Sequence, residues 1–193
     1  MHDIRPGQSI ELLKELHILT GDGRMNQDSR RKLKQVYHLY QFIEPLLQEI
    51  QQAHADIHLV DHGAGKSYLG FILYDLFFKE LKNASRIYGI EARDELVQKS
   101  RELAARLNFP GMSFLNLSVA ESMASDLLPE RIDIVTALHA CDTATDDALH
   151  FGLKKQARFM VLVPCCRQRS TFVVRLPNSR VCSGCRQISL KVW

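Results

Sequence analysis

The chain has 193 residues, a formal net charge of +3 and 46% hydrophobic residues, which is the composition of one ordinary globular domain. It has neither an apolar run of membrane-spanning length nor a signal peptide, so we expect a cytoplasmic protein without a membrane partner. Its five cysteines, an odd number, favour reduced thiols over a secreted disulfide framework.

Residues 1–52 predict an N-terminal helical segment that packs on the rest of the chain. Apolar residues recur at helical spacing over 9–19, with Ser9 as N-cap and Gly21 as stop, and again over 26–49. The first turns of the second helix carry four basic residues: Arg30, Arg31, Lys32 and Lys34. Basic side chains there oppose the helix macrodipole. They indicate either a solvated face or a contact with a phosphate or an acidic substrate.

From residue 53 to 166 the pattern alternates between strands and helices. Strands are predicted at 57–60, 86–90, 112–117, 132–138 and 159–163, and helices at 67–82, 93–108 and 145–155. This alternation predicts an α/β domain with a Rossmann-like, doubly wound, mostly parallel sheet and right-handed crossovers. Ligands of such sheets bind at the carboxyl ends of the strands.

A glycine-rich turn, V-D-H-G-A-G-K-S at 60–67, follows the first strand. Its end resembles a phosphate-binding P-loop, but that motif requires a glycine where the chain has Val60. Gly63 and Gly65 instead fit a tight strand-to-helix turn that a nucleoside can approach closely. Tyr68 replaces the third glycine of the dinucleotide motif, which favours a mononucleoside. A P-loop-like nucleotide-binding protein is the alternative.

Glu91 ends the second predicted strand, about 30 positions after Asp61. A carboxylate at this position can accept hydrogen bonds from both hydroxyls of a ribose, and the alternative is that it caps the next helix. The glycine turn and this acid together predict a nucleoside site.

Two further motifs follow the ends of later strands: A-L-H-A-C-D-T-A-T-D-D at 137–147 and V-P-C-C at 163–166. With the glycine turn and N-Q-D-S-R-R-K-L-K-Q at 26–35, they resemble a branch of the class I S-adenosylmethionine-dependent methyltransferases with D-x-G-x-G-K, L-H-x-C and P-C-C motifs. The resemblance covers about residues 20–166. A more distant similarity is to tRNA ribose 2′-O-methyltransferases, which makes RNA the favoured methyl acceptor.

The resemblance implies S-adenosylmethionine as cofactor and assigns its contacts position by position. The cofactor-binding residues so implied are Asp61, Gly63, Ala64, Gly65, Tyr68, Glu91, Ala92, Ser118 and Val119. The turn surrounds the methionine part, Glu91 binds the ribose, and Ser118 and Val119 lie beside the adenine. Ser118 stands where the family usually has an acid, so a backbone N–H is left to recognise the adenine ring. Ser67 also replaces a common third glycine.

His139, Cys141 and Asp142 are the implied catalytic residues at the mouth of the site. His139, oriented by Asp142, would remove the proton of a hydroxyl acceptor, whereas an amine acceptor needs mainly positioning. The alternative is that His139 and Cys141 pack the loop and Asp142 caps a helix. The implied substrate-binding residues are Arg30, Arg31, Lys34, Cys165 and Cys166. Adjacent cysteines rarely bind one zinc ion together, so no metal is expected despite C-x-x-C at 182–185.

The segment 167–193 differs in character, with six basic residues and no acidic one. The resembling family continues through a helix and two more strands after the fifth. The sequence therefore predicts a sheet truncated after its fifth strand, with an exposed edge open to self-association. Alternatively, 171–176 and 187–193 form a short substitute hairpin. In either case, the chain is either an active enzyme or a non-catalytic remnant that binds RNA or a partner.

Overall fold

The computed structural model describes residues 4–54, 56–140, 143–164, 171–176 and 189–192, and only the backbone at 119, 139–140, 143–145, 164 and 189–192. The helices are α1 (Ile10–Glu15), α2 (Gln27–Ala53), α3 (Tyr68–Leu76), α4 (Asp94–Arg106), α5 (Val119–Ala124) and α6 (Thr143–Lys154). The strands are β1 (His58–His62), β2 (Arg86–Glu91), β3 (Met112–Asn116), β4 (Ile134–Ala140), β5 (Phe159–Pro164), β6 (Phe172–Arg175) and β7 (Ser189–Val192).

One seven-stranded sheet has the order β3-β2-β1-β4-β5-β6-β7. The first five strands are parallel. Helices cover these parallel strands, so the strands read as nearly continuous apolar runs; Leu59, Val60, Ile134 and Val135 are completely buried. The predicted Rossmann-like, mostly parallel fold is confirmed. Its register aligns Asp61 on β1 with residues of both neighbouring strands.

The sheet continues beyond the fifth strand. β6 pairs antiparallel with β5, aligning Phe159 with Arg175 and Leu162 with Phe172, and β7 pairs antiparallel with β6. Of the two alternatives for the segment after 166, the structure therefore has the substitute hairpin and not a sheet that stops at β5. The edge from which self-association was predicted is covered by β6.

The N-terminal helices pack on the same core as the sheet. Ile43, Leu47 and Ile50 of α2 belong to the buried cluster that also contains Ile57 and Leu59. Both predicted helices form. Ser9 caps the first as predicted, its Oγ accepting from the Leu12 N–H at 3.2 Å, and Asn26 Oδ1 caps the second by accepting from the Ser29 N–H at 2.8 Å. The first helix ends at Glu15 and not at the predicted stop, Gly21. The helix α2 extends to Ala53, past the predicted end at residue 49, because its apolar face stays buried as far as Ile50.

Two helices differ from the predicted pattern. The helix predicted over 67–82 ends at Leu76, and a 3₁₀ turn at Phe78–Glu80 follows because Phe77 leaves the helical backbone region, with ψ −58° at φ −133°. The six-residue α5 was not predicted. Among the described helices, none is both long and apolar enough to cross a membrane.

Candidate functional site

The glycine turn at the carboxyl end of β1 is left-handed at three positions. The φ angles of Gly63, Gly65 and Ser67 are 68°, 58° and 51°, in a region that glycine enters without steric cost. Among the described residues, a Cβ added at Gly63 would meet no atom within 4 Å, and one at Gly65 would meet only Arg93 Nη2, at 3.9 Å. The turn therefore leaves open space in which a ligand can approach its backbone.

The turn is held against β2 by its own amide groups. The Ala64 N–H donates to the Ile90 carbonyl at 2.9 Å, and the Ser67 N–H donates back to Ala64 at 2.7 Å. The Gly65 N–H donates to Glu91 Oε2 at 2.8 Å. Three N–H groups of the turn are thus already paired, one of them with a carboxylate. This pairing is unlike a P-loop, whose N–H groups converge on phosphates.

Asp61 lies immediately before the turn and is 3% exposed. Thr136 of β4 is aligned with it, and the Thr136 Oγ1 hydroxyl donates to Asp61 Oδ1 at 2.7 Å. Burial raises the pKa of Asp61 to about 6, while the hydrogen bond from Thr136 acts in the opposite direction. The site therefore contains a buried carboxyl group that is protonated more readily than an ordinary aspartate.

Glu91, at the end of β2, connects the turn to the next loop. Besides the Gly65 N–H, its carboxylate accepts from the Arg93 backbone N–H at 3.1 Å and from Arg93 Nε at 2.9 Å. Hydrogen bonds from the Arg93 side chain, with smaller contributions from the two backbone N–H groups, lower the pKa of Glu91 below its ordinary value. Glu91 is therefore ionised at neutral pH and lies against the glycine turn, while its binding of a ribose stays a prediction.

Asn116, at the end of β3, is a site residue that sequence reasoning missed. Its Nδ2 donates to the carbonyls of Glu91 and Ala92 at 3.2 and 2.9 Å, which fixes the loop after β2. The sequence could have indicated Asn116, because it is a polar residue at the carboxyl end of a parallel strand, at the same edge of the sheet as Asp61 and Glu91.

Ser118 caps the short helix α5. Its Oγ accepts from the Glu121 N–H at 3.3 Å, while Glu121 Oε2 accepts from the Ser118 N–H at 2.7 Å. This is a capping box, and the S-x-x-E pattern at 118–121 was the sequence signal for α5. Glu121 is hydrogen-bonded to both the N–H and the hydroxyl of Ser118. We therefore expect the backbone of the first turn of α5, which begins at Val119, to make the adenine contact that was predicted for Ser118. That contact stays a prediction.

His62 is a second residue that the sequence reasoning missed. It is 6% exposed at the end of β1. Its Nε2 lies 3.3 Å from Ser122 Oγ on α5, and its ring centre lies 5.3 Å from that of Phe151 on α6. Burial lowers the pKa of His62, so the ring is neutral at neutral pH and joins the two helices that follow β3 and β4.

The remaining predicted residues are placed as follows. Ala64 and Tyr68 are partly exposed at the turn, and Ala92 is exposed in the loop after β2. His139 lies in β4, which pairs with β1 and β5, and only its backbone is described. Cys141, Asp142, Cys165 and Cys166 lie outside the described residues. Within the part of the chain that the structure describes, no group of three or more His, Cys, Asp or Glu could hold a metal ion.

The predicted substrate-binding residues of α2, Arg30, Arg31 and Lys34, are exposed. The N-terminal segment that carries them contacts the last turn of α3 through a hydrogen bond from the Ser9 N–H to Asp75 Oδ2, at 2.8 Å. It also contacts the end of α4, where Arg106 Nη2 lies 2.8 Å from Glu15 Oε2. The glycine turn lies at the other end of α3, so a role of these basic residues toward a substrate stays a prediction.

A groove of about 500 Å³ lies away from the glycine turn, on the edge strand β3 beside α4. Arg101 lines it and donates from Nε and Nη2 to the Phe114 carbonyl, at 2.9 and 2.7 Å. A charged side chain that pairs with an edge carbonyl protects the strand against pairing with another chain. We therefore assign the groove to the sheet edge and not to the site.

Sequence comparison matches residues 31–171 to the model of a family described as a methyltransferase domain. The chain belongs to this methyltransferase family. The matched residues include β1 to β5 and every residue placed above at the carboxyl edge of the sheet. The methyltransferase domain matches no curated protein at a significant level.

Several solved structures are similar to this methyltransferase domain. Magnesium protoporphyrin IX methyltransferase from Synechocystis PCC 6803, with bound SAH, is 16% identical, with 78% of this chain and 65% of that chain covered and a TM-score of 0.49. A putative protein-L-isoaspartate O-methyltransferase from Plasmodium falciparum is 13% identical, with coverages of 71% and 62% and a TM-score of 0.45. A SAM-dependent methyltransferase from Aquifex aeolicus is 17% identical, with coverages of 61% and 61% and a TM-score of 0.39. The chain thus spans a little under two thirds of the length of these structures.

Proposed function

We propose that this methyltransferase domain binds S-adenosylmethionine at the carboxyl ends of β1 and β2 and methylates RNA. The observation that supports the cofactor is the hydrogen bond between the Gly65 N–H and Glu91, at 2.8 Å. It places an ionised carboxylate, of the kind that accepts hydrogen bonds from ribose hydroxyls, against a glycine turn with open space beside it.

The residues of the site fit this cofactor in charge and shape. The turn at Gly63 and Gly65 would receive the methionine part, and the carboxyl group of Asp61 would pair with its ammonium group. Ionised Glu91 would accept the ribose hydroxyls, with Asn116 fixing the loop behind it. The first turn of α5 would hold the adenine through its backbone.

The bound cofactor supplies a methyl group on a sulfonium, which is activated for transfer to a nucleophile. The contribution of the chain is therefore mainly to position the acceptor and to exclude water. His139 lies near the end of β4, beside β1, and is proposed to remove the proton of a hydroxyl acceptor with Asp142 as its orienting partner.

The charge distribution favours RNA as the acceptor. Arg30, Arg31, Lys32 and Lys34 are exposed together on α2, and the segment 167–193 adds six basic residues and no acidic one. Basic patches bind the phosphate backbone of nucleic acids. We also propose that the protein acts in the cytoplasm.

Calorimetric titration with S-adenosylhomocysteine tests the cofactor. We expect saturable binding in the micromolar range, and no stabilisation by Mg-ATP because the N–H groups of the turn are already paired. Absence of heat at high micromolar ligand would contradict the proposal, and stabilisation by Mg-ATP alone would favour the P-loop alternative.

Incubation with labelled S-adenosylmethionine and a fractionated cell extract tests the acceptor. Label in RNA supports the proposal, label confined to protein or small molecules contradicts the RNA assignment, and cofactor binding without any transfer would favour a non-catalytic remnant.

A further inference from the structure

The carboxylate of Glu91 has a full set of hydrogen-bond donors from the chain itself. Oε1 accepts from the Arg93 backbone N–H and from Arg93 Nε, at 3.1 and 2.9 Å. Oε2 accepts from the Gly65 N–H and from Arg93 Nη2, at 2.8 and 3.3 Å. An ionised carboxylate offers about four acceptor positions in total. A ribose diol therefore cannot bind to Glu91 unless one or more of these donors leaves.

The donors differ in how easily they can leave. The Gly65 and Arg93 N–H groups are main chain and are fixed by the turn and by the start of α4. The Arg93 guanidinium ends a flexible side chain that is 64% exposed. It also lies beside the turn, 3.9 Å from the position of a Cβ at Gly65. The guanidinium is thus the replaceable donor, and it lies beside the space that a ligand on the turn would enter.

Leaving Glu91 carries a small energetic cost for Arg93. Its guanidinium is the solvent-exposed partner of the pair, so it stays hydrated when it leaves the Glu91 carboxylate, whose side chain is only 10% exposed. The residue is the N-cap of α4 and makes no side-chain cap hydrogen bond there, and a cation at this end of a helix opposes the macrodipole. Asp94 and Glu95 follow in the first turn and offer other carboxylates once the guanidinium has moved.

We propose that the Arg93 guanidinium is an internal competitor of the ribose: it occupies two acceptor positions of Glu91 in the free domain and swings out when a nucleoside cofactor binds. This inference rests on the cofactor site proposed above. It predicts that Arg93 weakens cofactor binding, which is the opposite of what a direct ligand contact would do.

The test is the affinity of Arg93→Ala for S-adenosylhomocysteine, measured by calorimetry beside the wild type. This ligand has no net charge at neutral pH, so loss of a positive charge does not by itself favour its binding. The matched control is Arg106→Ala, which removes a similarly exposed, ion-paired arginine from the other end of α4. We expect a threefold to tenfold gain in affinity for Arg93→Ala and no change for Arg106→Ala.

A second ligand ties the gain to the ribose. With a 2′-deoxy analogue of S-adenosylhomocysteine, the gain in Arg93→Ala should shrink because fewer hydroxyls compete for Glu91. Arg93→Lys should lie between wild type and alanine, since an ammonium donates as a point charge and not as a fork.

The outcomes separate this inference from the cofactor proposal. Equal or weaker binding by Arg93→Ala, with binding by wild type intact, would overturn the competitor alone. Binding by Arg93→Ala but not by the wild type would support it strongly. Absence of binding in the wild type and in all three variants, each shown to be folded by a cooperative thermal unfolding transition, would refute both proposals.

Discussion

The Thr136 hydroxyl donates a hydrogen bond to Asp61 across β4 and β1, at 2.7 Å, and both residues are buried. Burial raises the pKa of Asp61 from 3.8 to about 6. A group whose pKa is raised by folding contributes stability that is fully present below 3.8 and is lost as the pH rises through about 6. Keeping Asp61 ionised at neutral pH therefore costs up to about 3 kcal/mol of folding free energy.

Asp61→Asn should raise the free energy of unfolding by up to about 3 kcal/mol at pH 8, because a neutral amide carries no ionisation cost when buried. At pH 4 the two proteins should be similarly stable. Urea unfolding at both pH values measures the effect. Thr136→Val is the control of opposite sign, expected to destabilise by about 1 to 3 kcal/mol at pH 8 because Asp61 loses its donor. An Asp61→Asn effect that is the same at both pH values would contradict the assignment.

Cofactor affinity should fall as the pH drops through about 6, the pKa of Asp61 in the free protein, because the ammonium group of the cofactor loses its anionic partner. Calorimetry with S-adenosylhomocysteine from pH 5 to pH 8 measures the profile. In Asp61→Asn the affinity should be low and nearly independent of pH over this range. A wild-type profile without this decline would place the ammonium group elsewhere.

Glu91→Ala should weaken cofactor binding by about 2 to 3 kcal/mol, since it removes a pair of charge-assisted hydrogen bonds to the ribose. Glu102→Ala is the matched control, because Glu102 is an exposed carboxylate on α4. Dissociation constants for S-adenosylhomocysteine decide the outcome. Unchanged affinity in Glu91→Ala would rule out the ribose assignment.

Replacing Arg30, Arg31 and Lys34 together with alanine should weaken RNA binding, reduce its salt dependence and leave cofactor affinity unchanged. Each lost phosphate contact lowers the slope of log affinity against log salt by about 0.7 for a single strand. A control variant removes three other exposed lysines, Lys82, Lys99 and Lys154, and so has the same net charge. If both variants lose RNA affinity equally, α2 is only a solvated basic face.

Arg175 should resist trypsin as well as the core does. Its Nη2 pairs with Glu49 Oε2 at 2.6 Å, and its guanidinium lies 5.0 Å from the centre of the Phe159 ring. Glu49 also pairs with Arg158. Glu49→Ala should therefore destabilise the protein by about 1 kcal/mol, as expected for partly exposed pairs, and speed cleavage after Arg175. Rapid cleavage there in the folded wild-type protein would show that β6 is not packed as described.

The sequence predicted the fold class, and it placed three candidate site features at one edge of the sheet, because both depend on local patterns. Alternating apolar strands and amphipathic helices determine a parallel sheet, and the carboxyl ends of such strands meet at one edge. Asp61, the glycine turn and Glu91 could therefore be placed together from their positions in the chain alone. The capping box at Ser118 and Glu121 was equally local and would have predicted α5.

Tertiary structure decided the contacts that join distant segments. Thr136 lies 75 residues from Asp61 and Asn116 lies 25 from Glu91, so only strand register brings each pair together. The raised pKa of Asp61 likewise needs the burial that the assembled sheet provides. The hairpin of β6 and β7 depends on the exposed backbone of β5, because strands of only four residues are stable only beside a neighbour that offers unpaired N–H and C=O groups.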